Sequence, residues 1–516
     1  MYADLLLAGG RVYTLGRAGL RPFSHLAVKS GMVAGVGGED LLGLKGPRTR
    51  VVRLAGAAVL PGFNDAHAHV VYHGLTSFGA DLTGSRSIAE LQRRLRAAAG
   101  RTPSGWVLGR GYWEEELAEK RAPHRTELDA AVGGRPTLVD HRGGHSRVAS
   151  SAALAAGGIT AATPDPPGGS IGRDPDGTPN GLLLEAAMRL PADHQPPPPL
   201  AQRKLGIRRC LRLLSSRGIT SVGAAVNRGF ADDLRAYQEL VDEGRLEVRV
   251  NEFLSWELLP SLRGLGAATG FGSSRLRMGP VKVFVDGGAS GATARLRGQD
   301  GPWRTTPEDL RELVHAAQPA GLQVAAHAIG DAAIEALLLA VESAPPGPRP
   351  LRHRVEHCTV CPPDLQRRLA RAGMAAVMQP LFATLGRQRF GEQLPAALAA
   401  HVAPQRDLLR AGVQVAFSSD LPVVKDPNPW PGLAAAVGDG LTALQALRAY
   451  TVAGAWTTFE ESLKGTLEPG RHADFQVYEE DPLQARPETW AEVRPNLVAV
   501  AGVPVARSRR LKEGVE

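Results

Sequence analysis

The sequence has few cysteines and few lysines for its length. Among 516 residues there are 3 cysteines, and only 8 of the 60 basic residues are lysine. An odd number of cysteines (Cys210, Cys358 and Cys361) argues against a disulfide framework and indicates a reducing compartment. The Cys358-Thr-Val-Cys361 run has no second cysteine pair and no nearby histidine pair, so we expect inert, buried thiols rather than a zinc knuckle.

Targeting signals and long apolar runs are also missing. The N-terminal stretch MYADLLLAGGRVYTL lacks the basic start and apolar core of a signal peptide, and no run approaches about 18 apolar residues. We therefore expect a cytoplasmic protein that does not bind membranes. The net charge is +8, but basic residues are spread along the chain without a nucleic-acid-binding motif, so we expect no nucleic-acid partner.

Two segments rich in short apolar runs and glycine occupy the ends of the chain. Such runs predict short antiparallel strands with turns. They cover residues 1–60 and 465–516. We expect both ends to form one composite β-domain.

Between these ends, residues 61–464 contain eight apolar runs of strand length, separated by stretches with helical periodicity. Eight such units predict an α/β fold of the (β/α)₈ barrel type. The interval between the first two runs, residues 75–200, is too long for a loop and predicts an inserted α/β subdomain. The runs are VLPGFNDAHAH, GITSVGAAV, LEVRVNEF, VKVFVDG, LQVAAHAIG, LRHRVEHC, MAAVMQP and VQVAFSSD.

Histidines stand at the carboxyl ends of several of these runs. His67 and His69 end the first run, and residues i and i+2 of a strand share a face, so both imidazoles can reach one metal. Two partly exposed loop histidines are the alternative. His327, His357 and Asp420 end the fifth, sixth and eighth runs, and in a barrel these ends converge on one mouth. The set suits zinc or another divalent transition metal in a catalytic centre with room for water.

Lys282 is one of the 8 lysines and lies within the apolar run VKVFV. Burying an unpaired ammonium is unfavourable, and a depressed pKa would leave a neutral, nucleophilic amine. Such an amine can add carbon dioxide to give a carbamate, an anionic ligand able to bridge two cations. A lysine that extends to the strand end, or pairs with Asp286, is the alternative.

Several motifs resemble one known family along nearly the whole chain. The motifs are LPGFNDAHAH, PDPPGGSIGRD, VKVFVDGGASG, AAHAIGD, VEHC, MQP, AFSSDLPV and GTLEPGRHADF. In this order and spacing they resemble the YtcJ-like branch of the amidohydrolase superfamily, which includes N-substituted formamide deformylases.

This resemblance implies a ligand set. His67 and His69 would hold one metal, His327 and His357 a second, and carboxylated Lys282 would bridge them. Asp420 would bind near the attacking water. The resemblance also implies that the terminal β segments form a small sandwich beside the barrel. Whether one or both metal positions are filled stays open.

The sequence thus predicts a metal-dependent hydrolase of carbon–nitrogen bonds other than peptide bonds, acting on small or N-substituted amides. Asp420 is the predicted general acid and base. A deaminase or cyclic-amide hydrolase with the same metal ligands is the first alternative, and a non-catalytic barrel is the second. A homodimer is left open. Predicted substrate contacts are Trp113, Asp140, Arg142 and His145 in the insert and Asp286 after the lysine strand.

Overall fold

The structure is a computed structural model that describes residues 2–101, 105–226, 231–288, 293–299, 301–383, 394 and 396–508. Its strands form three sheets of eight, six and eight strands. Within the described residues, every helix is too short or too polar to span a bilayer.

Eight parallel strands, here called barrel strands 1 to 8, form the central sheet in chain order. The edges meet beyond the strand ends, where the Asp420 amide donates to the His67 carbonyl (2.9 Å) and the His69 amide to the Leu421 carbonyl (2.8 Å). The predicted barrel is confirmed. The eight strands are Phe63–Ala68, Ile219–Ala224, Arg249–Ser255, Leu276–Phe284, Val324–Ala328, Arg354–His357, Ala375–Met378 and Gln414–Phe417.

Helices surround this sheet, and two of them begin at a threonine that caps the first turn, Thr306 and Thr442. The helix Pro307–Ala317 starts with a proline at its first turn, and the Thr306 side chain accepts a hydrogen bond from the Asp309 amide. Its buried residues recur at helical spacing and face the strands. The other helices outside the insert are Val70–Thr76, Leu200–Ser215, Ala231–Asp242, Leu259–Gly264, Asp331–Glu342, Pro363–Arg371, Ala396–Ala399, Gln405–Arg410, Pro429–Gly438, Ala443–Ala449 and Val452–Thr457.

A six-stranded sheet lies between barrel strands 1 and 2 in the chain. It has its own apolar core, which includes Leu82, Leu91, Leu95 and Val139 and packs the insert's helices against its sheet. Its strands are Ala80–Asp81, Val107–Tyr112, Thr137–His141, Ser146–Ala149, Gly169–Arg173 and Pro179–Glu185, and its helices are Ile88–Arg101, Arg125–Val132, Ser151–Ala156 and Arg189–Ala192.

The third sheet combines strands from both ends of the chain. The strand Phe475–Tyr478 pairs antiparallel with Ala58–Pro61, and apolar residues of both segments share one core. The Asp474 carboxylate, buried beside this sheet, accepts two hydrogen bonds from Arg249 on barrel strand 3 (2.7 and 2.9 Å). The remaining strands are Leu5–Val12, Phe23–Lys29, Met32–Gly37, Arg50–Arg53, Leu497–Val500 and Val503–Arg507. The last part of the predicted β-domain, residues 509–516, lies outside the described residues.

The three cysteines lie in the interior of the protein. All three thiols are free and buried, and burial raises the pKa of the Cys210 thiol. This agrees with the expectation of inert thiols.

Short 3₁₀ helices connect the strands and α-helices. The 3₁₀ helices are Glu39–Leu44, Glu114–Glu116, Ala186–Met188, Trp256–Leu258, Pro482–Gln484 and Pro487–Glu492.

Candidate metal centre and active site

Two histidines and a carboxylate meet where barrel strands 1 and 8 end. The Nε2 atoms of His67 and His69 lie 3.6 and 3.3 Å from Oδ1 of Asp420. One ligand atom from each residue can be chosen so that all three lie within 4.8 Å of one another, and all three residues are buried. Three donors at this spacing can hold one divalent ion.

Two further imidazoles, from barrel strands 5 and 6, face the same point. The ring centroid of His357 lies 5.3 Å from that of His67 and 4.7 Å from that of His327. The Nδ1 of His357 lies 2.9 Å from Gln379 Oε1, and the Nε2 of His327 lies 2.9 Å from the Gly287 carbonyl. Because one nitrogen of each ring is engaged in this way, the other nitrogen is left to act as a ligand.

Lys282 completes the group from barrel strand 4. Its side chain is buried, and its Nζ has no hydrogen-bond partner among the described residues. The ammonium therefore neither extends to solvent nor pairs with Asp286, the two alternatives left open by the sequence. Burial lowers the pKa of Lys282 to about 8, which brings the neutral amine within reach near neutral pH.

The donor set fits a divalent metal. Three buried polar atoms that face the centre have no partner in the described structure: Nε2 of His67, Oδ1 of Asp420 and Nζ of Lys282. Leaving such atoms unpaired is unfavourable, so the arrangement needs a further group to satisfy them. Burial also lowers the pKa of His67 and of His327 well below the usual value, which favours the neutral, metal-binding form of both rings.

A buried carboxylate behind His67 was missed by sequence reasoning. Oε2 of Glu356 lies 2.5 Å from Nδ1 of His67, and both side chains are fully buried. Arg354 fixes this carboxylate by donating from Nε to Oε1 (2.7 Å) and from Nη2 to Oε2 (3.0 Å). The available signal was the alternation of Arg354 and Glu356 along a buried strand, which directs both charges to the barrel interior. Carboxylates in this position orient metal-binding histidines.

Backbone strain and a second buried acid fix the ends of barrel strands 6 and 8. His357 and Asp420 have φ of 74° and 52°, a region that residues with a Cβ rarely adopt and that is common at functional sites. Asp65 accepts hydrogen bonds from the Ser419 amide (3.0 Å) and hydroxyl (2.5 Å), which holds the loop before Asp420. Burial raises the pKa of Asp65 to about 7.

The surroundings of Asp420 favour its ionised form. Burial alone would raise its pKa, but attraction to the imidazole of His69, whose Nε2 lies 3.3 Å from Oδ1, and to the imidazoles of His357 and His67 outweighs burial and lowers the pKa well below its usual range. A carboxylate in this state can bind a cation or accept a proton.

The centre opens into a cavity of about 520 Å³ that the insert covers. This volume is within the usual range for a small-molecule site. Of the predicted substrate contacts, Trp113, Asp140, Arg142 and His145 line the cavity. The Arg142 guanidinium stacks on the Trp113 ring at 4.0 Å.

The other two insert residues are fixed by neighbours. Asp140 accepts hydrogen bonds from Arg147 Nε (2.5 Å) and the Tyr72 hydroxyl (2.6 Å). His145 Nδ1 lies 2.9 Å from Oε1 of Glu185, a residue that sequence reasoning missed. The His145 ring centroid is 6.0 Å from that of His327, so the insert contributes an imidazole next to the metal centre.

Asp286 differs from the sequence expectation. Its carboxylate is completely buried and accepts hydrogen bonds from the amides of Arg295, Ile329 and Gly330 at 2.9 to 3.0 Å. The described residues that line the cavity do not include it. The three amides belong to the segments that follow barrel strands 4 and 5, so Asp286 holds the ends of these two strands together. A buried carboxylate that is bound in this way does not favour the predicted substrate contact.

A parallel barrel with histidines, a buried lysine and an aspartate at its mouth defines the class of metal-dependent hydrolases. Comparison with known proteins places the chain within that class. The model of the amidohydrolase family Amidohydro_3 matches residues 50–506, and the chain belongs to this family.

Similar proteins agree with this assignment over nearly the full length. The putative amidohydrolase YtcJ of Bacillus subtilis is 28% identical over 93% of this chain and 95% of its own. The N-substituted formamide deformylase of Arthrobacter pascens is 28% identical over 92% of this chain and 93% of its own. A crystal structure of an uncharacterized metal-dependent hydrolase from Pyrococcus horikoshii is similar with a TM-score of 0.78 and 26% identity, covering 94% of this chain and 99% of that one. The resemblance inferred from the motifs is confirmed.

Proposed function

We propose that the protein hydrolyses the carbon–nitrogen bond of a small, non-peptide amide with an N-substituent. One or two divalent transition-metal ions, zinc in the first instance, would be held by His67, His69, Lys282, His327, His357 and Asp420. The observation that carries the proposal is that His67, His69 and Asp420 bring ligand atoms within 4.8 Å of one another. The His357 ring lies next to those of His67 and His327, and the unpaired Nζ of Lys282 belongs to a side chain that lines the same cavity. The similarity to an N-substituted formamide deformylase supports the choice of an amide.

Bound metal would supply a Lewis acid that lowers the pKa of water toward about 7 and polarises the substrate carbonyl. The chain's own contribution begins at Asp420. Its ionised carboxylate, 3.3 Å from His69 Nε2, accepts the proton of the attacking water. The same group then delivers that proton to the leaving amine, which makes Asp420 both general base and general acid.

We propose that Lys282 acts as a carbamate. A neutral amine at Nζ adds carbon dioxide and loses a proton, so the side chain changes from a neutral amine to an anion. An ammonium in this place would repel a divalent ion, whereas the carbamate offers two oxygens to it. The buried, unpaired Nζ supports this form.

The insert provides the substrate side of the cavity in this proposal. His145, held by Glu185, is placed to hydrogen-bond the polarised carbonyl or to take the proton if Asp420 is removed. Trp113 and Arg142 form a flat, partly exposed surface for the N-substituent. Residues 75–200 are thus proposed to be a specificity subdomain, and a small organic molecule is the proposed partner.

The test is turnover of a panel of N-formyl and N-acyl amines by the metal-loaded protein, with cyclic imides and aminated heterocycles as comparison substrates. We expect hydrolysis of acyclic amides, followed by release of the amine. Activity confined to cyclic imides or to deamination would replace this proposal with the alternative activities of the same metal site.

A further inference from the structure

Two further unsatisfied polar groups lie in the same cavity, away from the proposed metal ligands. The Glu252 side chain is on barrel strand 3 and Tyr237 is on the helix Ala231–Asp242. Both residues are almost fully buried, at 1% and 0% exposure. Oε2 of Glu252 and the hydroxyl of Tyr237 have no hydrogen-bond partner among the described residues.

Glu252 and Tyr237 lie on the outer, helix-facing side of barrel strand 3, and both line the cavity. Phe253 packs on His67 with ring centroids 5.9 Å apart, so it faces the barrel interior. Because side chains alternate along a strand, Glu252 faces the helix layer that contains Tyr237. Both residues line the cavity into which the metal centre opens. We call this part of the cavity the Glu252–Tyr237 subsite.

The subsite is close to the metal centre in the fold. Glu252 is in register with Ala224 at the end of barrel strand 2. The next residue, Ala225, uses its carbonyl to bind His69 Nδ1 at 3.1 Å. A ligand with one end at His69 can therefore extend along this strand end toward Glu252.

The charges nearby indicate what Glu252 can bind. The neighbouring acid Asp233 forms a buried ion pair with Arg203. An isolated carboxylate in apolar surroundings is unfavourable, and burial, reinforced by Asp233, raises the pKa of Glu252 well above its usual value. The neutral carboxyl and the phenol each offer one O–H donor and acceptor oxygens.

We propose that Glu252 and Tyr237 bind an uncharged hydrogen-bonding group, such as a hydroxyl or a carbonyl, on the part of the substrate that does not react. This proposal rests on the proposed function, because it assigns the far end of the same amide substrate. An alkyl group in this place would leave both buried groups unpaired, and sites of this kind reject such analogues. The subsite would thus select polar N-substituents over alkyl ones.

The experiment compares N-(ω-hydroxyalkyl)formamides of increasing chain length with N-alkylformamides of equal size. We expect the wild type to prefer the best hydroxyl compound by on the order of 10- to 100-fold in kcat/KM. Binding of the same compounds to the Asp420→Asn variant, followed by saturation-transfer NMR, should show the same preference without turnover. If neither the formamides nor the N-acyl amines of the panel are hydrolysed but the binding preference is present, the proposed function fails and the subsite stands.

Three variants test the two residues. Tyr237→Phe and Glu252→Met should each reduce the preference at least several-fold, whereas Glu252→Gln, which keeps an uncharged hydrogen-bonding group, should retain it. Glu239→Gln, on the same helix but paired with Lys204 outside the cavity, is the matched control. Because Tyr237→Phe and Glu252→Met remove atoms without partners, their melting temperatures should equal or exceed that of the wild type.

Three results would overturn the proposal. The wild type could bind and process hydroxyl and alkyl compounds alike, which would mean that the subsite holds only water. The preference could survive in both Tyr237→Phe and Glu252→Met. Glu252→Gln could lose the preference for hydroxyl compounds as fully as Glu252→Met does, while the wild type prefers ω-aminoalkyl compounds. These two results together would show that Glu252 acts as an anion that binds a cationic group.

Discussion

The barrel wall and the insert wall of the cavity differ in how their polar side chains are paired. On the barrel wall, His67, Lys282 and Asp420 turn polar atoms toward the centre, and these atoms have no protein partner in the described structure. On the insert wall, Asp140 is bound by Arg147 and Tyr72. The barrel wall therefore needs a further group to complete it, whereas Asp140 on the insert wall is held by protein partners and helps to shape the space beside the centre. Substitutions on the barrel wall should change metal binding or proton transfer, and those on the insert wall should change substrate affinity.

Replacement of Lys282 by alanine should have the largest effect. If Lys282 were an ammonium, its loss would reduce repulsion toward cations, and metal affinity would be unchanged or better. A carbamate predicts loss of one or both metals and of turnover. Short carboxylic acids such as acetate or propionate should restore part of both, because their two oxygens can replace those of the carbamate.

The readouts are metal content and turnover with and without added acid. Lys45→Ala, at an exposed lysine, is the control. Full metal occupancy in Lys282→Ala without acid would refute the carbamate and leave Lys282 as a substrate-binding or structural cation.

Asp420→Asn separates proton transfer from metal binding on the same wall. Asparagine keeps the shape and one ligating oxygen but cannot accept the proton. Metal content should largely persist, and kcat should fall by about 10²-fold or more. Near-normal turnover across neutral pH would show that another residue takes the proton, and His145 is the first candidate.

Glu356→Gln tests the carboxylate behind His67. Gln keeps the size but weakens the 2.5 Å interaction that fixes the imidazole. Metal affinity, measured by competition with a chelator, should fall by about 10- to 100-fold. Glu312→Gln, at an exposed position, should leave affinity unchanged. Equal affinities in both variants would mean that Glu356 serves only to neutralise Arg354.

Arg142→Gln should have the smallest effect and should act only on the insert wall. The stack of Arg142 on Trp113 is partly exposed, and such contacts contribute about 0.5–1 kcal/mol. KM should rise by about two- to fivefold, with kcat and metal content unchanged. A loss of metal in this variant would contradict the division between the two walls.

Sequence patterns indicate which side chains lie at the barrel mouth for a physical reason. Parallel strands buried on both faces appear as continuous apolar runs, so a histidine or aspartate at the end of such a run is conspicuous. His67, His327 and Asp420 were found in this way, and Lys282 stood out because it interrupts an apolar strand.

The remaining site residues depend on contacts that spacing does not encode. Glu356 was not predicted because, in the motif VEHC, only His357 stands at the end of an apolar run. The sequence predicts that Asp286 contacts the substrate, but its carboxylate accepts hydrogen bonds from three backbone amides. Glu252 and Tyr237 come from a strand and a helix whose packing brings them to one cavity. Such pairings appear only once the helices are placed on the sheet.

Metal analysis of the purified wild-type protein, before and after exhaustive chelation and with turnover followed in parallel, tests the central claim most directly. Unpaired donor atoms at His67, Lys282 and Asp420 predict one or two divalent transition-metal ions per chain. Chelation should remove the ions and the activity together, and zinc or a similar ion should restore both. Protein that is fully active after chelation, with no detectable metal, would contradict the account.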